Sequence, residues 1–260
     1  MARELAHHYG PDVVLFDDPF LGSLLARLGS PDTGTAAIPG LVRTAYTRLL
    51  QEILAREFPQ QPQRLATRMA AQEPRAFVQG DFLCQQTRLV LCAVIRAGIL
   101  PAQACYEAAI DVLPPAHVRL DFLNLSRVVD PEHRVTGVRL DGSKLGGPVD
   151  RAVVVIPDPM GATGGSLCRV LDHYAAIGAG TPLRAVFVHL IVTPEYVQRV
   201  HAAHPGVSIH AIRLDRGFSS DAALALPPGT LPAEERGLDS HQYIVPGAGG
   251  LGEVLNNSWV

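Results

Sequence analysis

The chain has 260 residues, 47% of them hydrophobic, enough to bury a full core in one large domain and too few for two equal ones. A formal charge of −3, with 18% charged residues and no long run of Lys/Arg, excludes a basic face that would neutralise a nucleic-acid backbone. The opening MARELAHHYG lacks the apolar core of a signal peptide and no stretch reaches the length of a spanning helix, so a soluble cytoplasmic protein is expected, with no membrane partner.

In chain order, VVLF (residues 13–16) reads as a short strand, followed by Gly, Pro, Ser and Thr punctuation between Gly29 and Pro39. In LVRTAYTRLLQEILAREF (residues 41–58) the apolar Val42, Ala45, Leu49, Leu50, Ile53 and Leu54 recur at three- and four-residue steps. Arg48, Glu52 and Arg56 lie on another face, which predicts an amphipathic helix stopped by Pro59 and Pro62. A polar stretch follows. RLVLCAVIR (residues 88–96) is a continuous apolar run of strand length ending at an Ala97-Gly98 turn, and a helix is expected through residues 103–110. Residues 118–125 alternate as a half-buried strand. Residues 135–140 form a weaker one that ends at Asp141-Gly142, a hairpin-type turn, with residues 130–133 as an exposed loop between them.

From Ala152 the pattern becomes regular: strand VVVIP, a glycine-rich loop, helix SLCRVLDHYAAIG, strand LRAVFVHLIV, helix PEYVQRVHAAH, strand VSIHAIRL. Strands made almost wholly of Val, Ile and Leu, alternating with helices, are what a parallel sheet covered on both faces requires, so the fold class is α/β. Cys84, Cys92, Cys105 and Cys168 show no C-x-x-C spacing and read as reduced core thiols. Residues 219–235, rich in Ala and Pro, read as a surface loop with disorder or a short helix as alternatives. His201 and His204 lie one helical turn apart without an H-E-x-x-H pattern and read as structural, as does His241.

The stretch VVVIPDPMGATGGS (residues 153–166) runs from strand through one acid into small residues. Gly161, Ala162, Thr163, Gly164 and Gly165 let the backbone approach a ligand, Thr163 and Ser166 add hydroxyls, and the following helix turns unpaired N–H groups toward it. A phosphate fits that place. The loop is neither a Walker A nor a dinucleotide fingerprint; Asp158 beside it suits sugar hydroxyls, so acid and cradle together suggest a phosphorylated sugar. The alternative is a plain strand-to-helix turn in which Asp158 caps the helix. In an α/β sheet both this loop and Arg96-Ala97-Gly98 fall at carboxyl ends of strands, where ligands bind.

Four pieces in order resemble the uracil phosphoribosyltransferases, a branch of the type I phosphoribosyltransferase fold: I-R-A-G (residues 95–98), D-P-M-G-A-T-G-G-S (158–166), A-H-P-G-V (203–207) and Y-I-V-P-G-A-G (243–249). The resemblance runs from about Gly22 to Glu253 and is most specific in the second piece. It implies one domain over residues 1–260, with a helical N-terminal extension (1–87), a core sheet with the phosphate site (88–215) and an insertion with a base-binding tail (216–260). The sheet would be mostly parallel, flanked by helices, with a small hood.

The activity the resemblance implies is transfer of phosphoribosyl from phosphoribosyl pyrophosphate (PRPP) to uracil, giving UMP and pyrophosphate, by a homodimer. Residues 161–166 would hold the 5′-phosphate, Asp158 the ribose hydroxyls and Arg96 the pyrophosphate, which carries a Mg²⁺ with no direct protein ligand. Arg127 would close over the pyrophosphate, with Arg134 as a rival. The base would lie against Tyr243 and Ile244, read by the backbone of Ile244, Gly249, Gly250 and Leu251. The chain departs from the family pattern at its ending, where Gly250 replaces an acid and no Phe-Gly pair follows, at Gly161, which replaces a larger residue, and after Arg127, where no acid-rich run follows. Residues 219–235 are an insertion placed to lid the base pocket. Two other functions stay open: a non-catalytic sensor of PRPP or a nucleotide, and a phosphoribosyltransferase for another base.

Overall fold

A computed structural model describes residues 2–129 and 135–256. The chain opens with β1 (Arg3–Glu4) and β2 (Val13–Asp17), the strand expected at VVLF. Helix α1 (Pro19–Leu28) follows at once; the Asp18 carboxylate accepts from the N–H groups of Phe20 and Leu21, and Pro19 opens the first turn. Helix α2 (Ile38–Glu57) is the expected amphipathic helix, ending before Pro59 with Val42, Ala45, Leu49, Leu50 and Ile53 fully buried.

The polar stretch beyond it holds an antiparallel ribbon of β3 (Gln60–Ala66) and β4 (Phe77–Leu83), separate from the main sheet. The N-terminal third is therefore not merely helical, since β2 joins the main sheet and the ribbon stands apart.

Strand β5 (Leu89–Ile95) leads into helix α3 (Ile99–Ala109), then β6 (Val118–Val129) and β7 (Val135–Lys144). Next come β8 (Val153–Pro157), the short β9 (Met160–Gly161), α4 (Gly165–Ala176), β10 (Arg184–Val192), α5 (Pro194–Ala203) and β11 (Ser208–Leu214). Two short helices, α6 (Asp221–Leu224) and α7 (Leu251–Asn256), complete the set.

The main sheet runs β1-β2-β11-β10-β8-β5-β6-β7, with β9 beside β10. Every pairing from β2 to β6 is parallel; only β1 and β7, at the edges, are antiparallel. Burial follows from alternation. Val153 and Val155 of β8 join Leu21, Val42 and Leu49 on one face, while Val154 and Ile156 join Leu167, Val170 and Val197 on the other. An apolar residue at every position is what a strand buried on both faces needs.

Asp141-Gly142 is not a turn. It lies inside β7, where Asn124 pairs with Gly142 and Leu125 with Leu140, leaving Asp141 as the extra residue of a bulge. The chain reversal between β6 and β7 and the expected loop at 130–133 lie outside the described residues. Cys92, Cys105 and Cys168 are buried and free as expected; Cys84 is only partly buried. Among the described residues no helix is long and apolar enough to cross a membrane.

Residues 219–235 contain α6, capped by the Ser220 hydroxyl, and they pack on the N-terminal segment. The buried Glu235 carboxylate meets Arg216 at 3.2 Å, accepts the N–H of Gly229 at 2.8 Å and takes the Tyr9 hydroxyl. This insertion is therefore a brace beside Tyr9 and does not line the cavity described below.

Candidate functional site

The carboxyl ends of β5 and β8 are neighbours in the sheet, and each opens into a tight loop. After β5 the chain turns through Arg96, Ala97 and Gly98 into α3, with a cis peptide between Ile95 and Arg96. A side chain at Gly98 would begin 2.8 Å from backbone atoms of Val94 and 3.0 Å from the Pro157 carbonyl, so only glycine lets this loop fold back onto the end of β8. Arg96 stays exposed at the mouth.

At the end of β8, Asp158 is fixed through its backbone. Its N–H donates to the Val188 carbonyl at 2.9 Å, and its own carbonyl meets His189 Nδ1 at 2.6 Å. His189 is fully buried, and burial lowers its pKa to about 3, so the ring is neutral. A carbonyl only accepts, which puts the proton on Nδ1 and leaves Nε2 to accept from the Tyr196 hydroxyl at 2.6 Å. The Asp158 carboxylate accepts the Met160 N–H at 3.4 Å.

The glycine loop is tied down from the other side by Thr193, whose hydroxyl donates to the Ala162 carbonyl at 2.6 Å and whose N–H donates to Gly161 at 3.1 Å. Gly164 then takes a φ of +76° as the N-cap of α4, a conformation that suits glycine. The first-turn N–H groups of α4 are those a helix leaves without internal partners, and they carry the positive end of its dipole. Arg199 on α5 packs against the start of this helix outside the cavity wall, its guanidinium carbon 3.5 Å from where a side chain at Gly165 would begin.

The third wall is the segment before α7, held by the end of β11. Asp215, 2% exposed, accepts the Gly247 N–H at 2.7 Å, while Arg213 donates to the Gly247 carbonyl at 2.8 Å and to the Asp215 carboxylate at 2.5 Å. Leu251 is buried in the same core as α2 and anchors α7 there. Gly252 faces the first loop, since a side chain on it would begin 3.3 Å from Ala97 Cβ.

The three pieces enclose one cavity of about 450 Å³. Of the residues singled out in the sequence, its wall contains Arg96, Asp158, Ala162, Thr163, Gly164 and Ser166, together with Tyr243, Ile244, Gly249, Gly250 and Leu251. Gly161 and Gly165 are buried behind the wall. Gly161 has a packing reason: a side chain there would begin 2.9 Å from Val192 Cγ1 and press on the Tyr196 ring. Arg127 has its backbone in β6 but its side chain lies outside the described residues, as does all of Arg134.

Sequence reading missed Glu253, Gln242, Tyr196 and Ser126 on the wall, and the clasp of Asp215 and Arg213. For the clasp the available signal was an Arg-x-Asp pair at a strand end. A second hollow of about 450 Å³ lies at the opposite ends of the strands. Arg184 on its wall is already paired with Glu57 at 3.1 Å, and His204 lies 3.3 Å from Asp172, so it offers an anion little.

A sequence model of the family described as uracil phosphoribosyltransferase matches residues 14–230. A uracil phosphoribosyltransferase of Paracoccus denitrificans (strain Pd 1222) is 30% identical over 243 residues, covering 94% of this chain and 96% of that one. One from Thermococcus kodakarensis is 27% identical over 239 residues, covering 91% and 86%. Among solved structures, a protein of Aquifex aeolicus superposes with a TM-score of 0.70 at 22% identity, covering 95% of this chain and 99% of that one. An adenine phosphoribosyltransferase of Trypanosoma brucei reaches 0.50 at 12% identity, covering 82% and 87%. Both likenesses concern the fold.

Proposed function

The chain belongs to the uracil phosphoribosyltransferase family, and from that premise we propose that it transfers the phosphoribosyl group of PRPP to N1 of uracil, releasing pyrophosphate and UMP. The observation that carries the reading is the single cavity shared by the glycine loop, Asp158, Arg96 and the Tyr243 to Leu251 wall. Its wall offers a phosphate cradle in the glycine loop and an aromatic and backbone surface at Tyr243 to Leu251.

In this reading the 5′-phosphate sits at Thr163, Gly164 and Ser166, against the first-turn N–H groups of α4. Asp158 accepts hydrogen bonds from the ribose hydroxyls. Arg96 meets the pyrophosphate at the mouth, and Arg127 remains a candidate to close over it. Uracil lies along Tyr243 and Ile244, with backbone groups of Ile244, Gly249 and Leu251 toward its polar edge. The bond from C1′ to the pyrophosphate oxygen breaks, the bond from C1′ to N1 forms, and N1 gives up its proton. The sugar passes through an oxocarbenium-like state, so the side chains that matter most are those facing the leaving charge.

Mg²⁺ takes oxygen donors, and the Asp158 carboxylate on the cavity wall would supply one beside a bound, Mg²⁺-carrying pyrophosphate. When bound, the ion neutralises charge on the leaving pyrophosphate.

We further take the chain to act as one phosphoribosyltransferase domain in the cytoplasm, where four free cysteines are in keeping. A homodimer is supported by the separate ribbon and its connecting segment, which leave Leu65, Met69, Phe77 and Val78 exposed. Pyrophosphate release followed against uracil concentration, in the parent and in Asp158→Asn, tests the activity: saturable release in the parent alone supports it, and equal release in both contradicts it.

A further inference from the structure

Tyr196, in the first turn of α5, stands on the cavity wall yet is only 1% exposed, so nearly all of it is packed against the protein. Its ring packs against the glycine loop. A side chain at Gly161 would begin 3.1 and 3.2 Å from two carbons of that ring and 2.9 Å from Val192 Cγ1, and one at Gly164 would begin 3.6 Å from the ring. Gly161 is outside the left-handed region, so its conformation suits other residues, and the space taken by the ring and Val192 is what requires glycine.

The ring is not free to swing aside. Its hydroxyl donates to His189 Nε2 at 2.6 Å, the two rings meet edge to face with centroids 4.6 Å apart, and His189 is fully buried. The Tyr196 N–H donates to the Thr193 hydroxyl at 3.0 Å, and that hydroxyl donates in turn to the Ala162 carbonyl at 2.6 Å. From His189 the hydrogen bonds continue through Nδ1 to the Asp158 carbonyl at 2.6 Å. One buried side chain therefore bears on the loop through its ring and on the acid through its hydroxyl.

We propose that Tyr196 is a positioning residue for the phosphoribosyl half of the cavity: its ring shapes the glycine loop, in the space that a larger residue at 161 would need, and its hydroxyl sets Asp158 through His189. The proposal rests on the phosphoribosyltransferase reading. It joins Gly161 and Tyr196 as a coupled pair, since the larger residue of the family pattern at 161 and this ring would compete for one space.

Calorimetric titration of the full chain with ribose 5-phosphate tests both halves without requiring turnover. Tyr196→Phe keeps the ring and removes only the hydroxyl. It is expected to weaken binding about three- to tenfold in the parent and to change nothing in an Asp158→Ala background, where the acid it acts on is gone. Gly161→Leu and Tyr196→Ala are each expected to weaken binding about tenfold, and the two together to bind more tightly than either alone, because a leucine then fills the space the ring left. An equal loss from Tyr196→Phe in both backgrounds makes the hydroxyl a matter of general stability and overturns the proposal, as does no loss at all or a double variant no better than its singles. A parent chain that does not bind ribose 5-phosphate removes the phosphoribosyl reading itself, and the proposal with it.

Discussion

His189 Nδ1 lies 2.6 Å from the carbonyl oxygen of Asp158, so the residue at the centre of the cavity is positioned by a histidine that never reaches it. Burial holds that imidazole near a pKa of 3, whereas the unfolded chain titrates it at the ordinary 6.5. Between those values the unfolded state binds the extra proton. The contribution is therefore intact above pH 6.5 and is lost as pH falls toward 3, with a slope of about 1.4 kcal/mol per pH unit where fully developed. Urea midpoints measured at pH 5 and 7.5 should diverge in the parent and converge in His189→Leu. That variant should also be less stable at pH 7.5 by about 1–3 kcal/mol, because the Tyr196 hydroxyl and Asp158 carbonyl lose their partner.

Asp158→Asn and Arg96→Ala should each reduce kcat by about a hundredfold or more while the circular dichroism spectrum stays that of the parent. Arg96 is exposed at the mouth of the cavity and Asp158 lies on its wall, so each substitution is expected to act on the site and not on the fold. Near-normal turnover in both would remove them from the chemistry.

Gly164→Ala places a side chain in the left-handed region at φ +76° and 3.2 Å from Val200 Cγ2. A loss of about 1–2 kcal/mol of stability is expected, read as a lower melting temperature. PRPP affinity should fall with it, because the same backbone aims the N–H groups of α4.

Asp215→Asn tests the clasp that holds Gly247, beside the wall proposed to meet the base. Losing a charged acceptor for the Gly247 N–H should raise the KM for uracil about tenfold and change that for PRPP little. Equal effects on both substrates would mean that Asp215 supports the sheet and not the wall.

Legibility followed burial. VVVIP in β8 reads as a strand because both its faces are covered, and α2 reads as a helix because only one is. QQPQRLA in β3 resists reading because its half-buried positions, Gln61 and Gln63, are polar, so its alternation carries no apolar signal. Helix α1 carried a usable signal in Asp18-Pro19, an N-cap followed by proline. Asp141-Gly142 misleads because a bulge and a hairpin turn tolerate the same pair.

The cavity was half legible. Asp158 and its glycine loop are contiguous, so composition alone marks them. The Asp215 clasp joins residues 32 apart, which no local spacing records. Gly161 illustrates the converse, a glycine in the right motif whose reason is the packing of Val192 and Tyr196.

The most direct measurement mixes purified protein with PRPP, Mg²⁺ and each of a panel of nucleobases, and identifies the product by mass. UMP formed with uracil, and abolished by Asp158→Asn, is the predicted result. Product from a different base alone, or none from any base with folded protein that binds PRPP, would contradict the account.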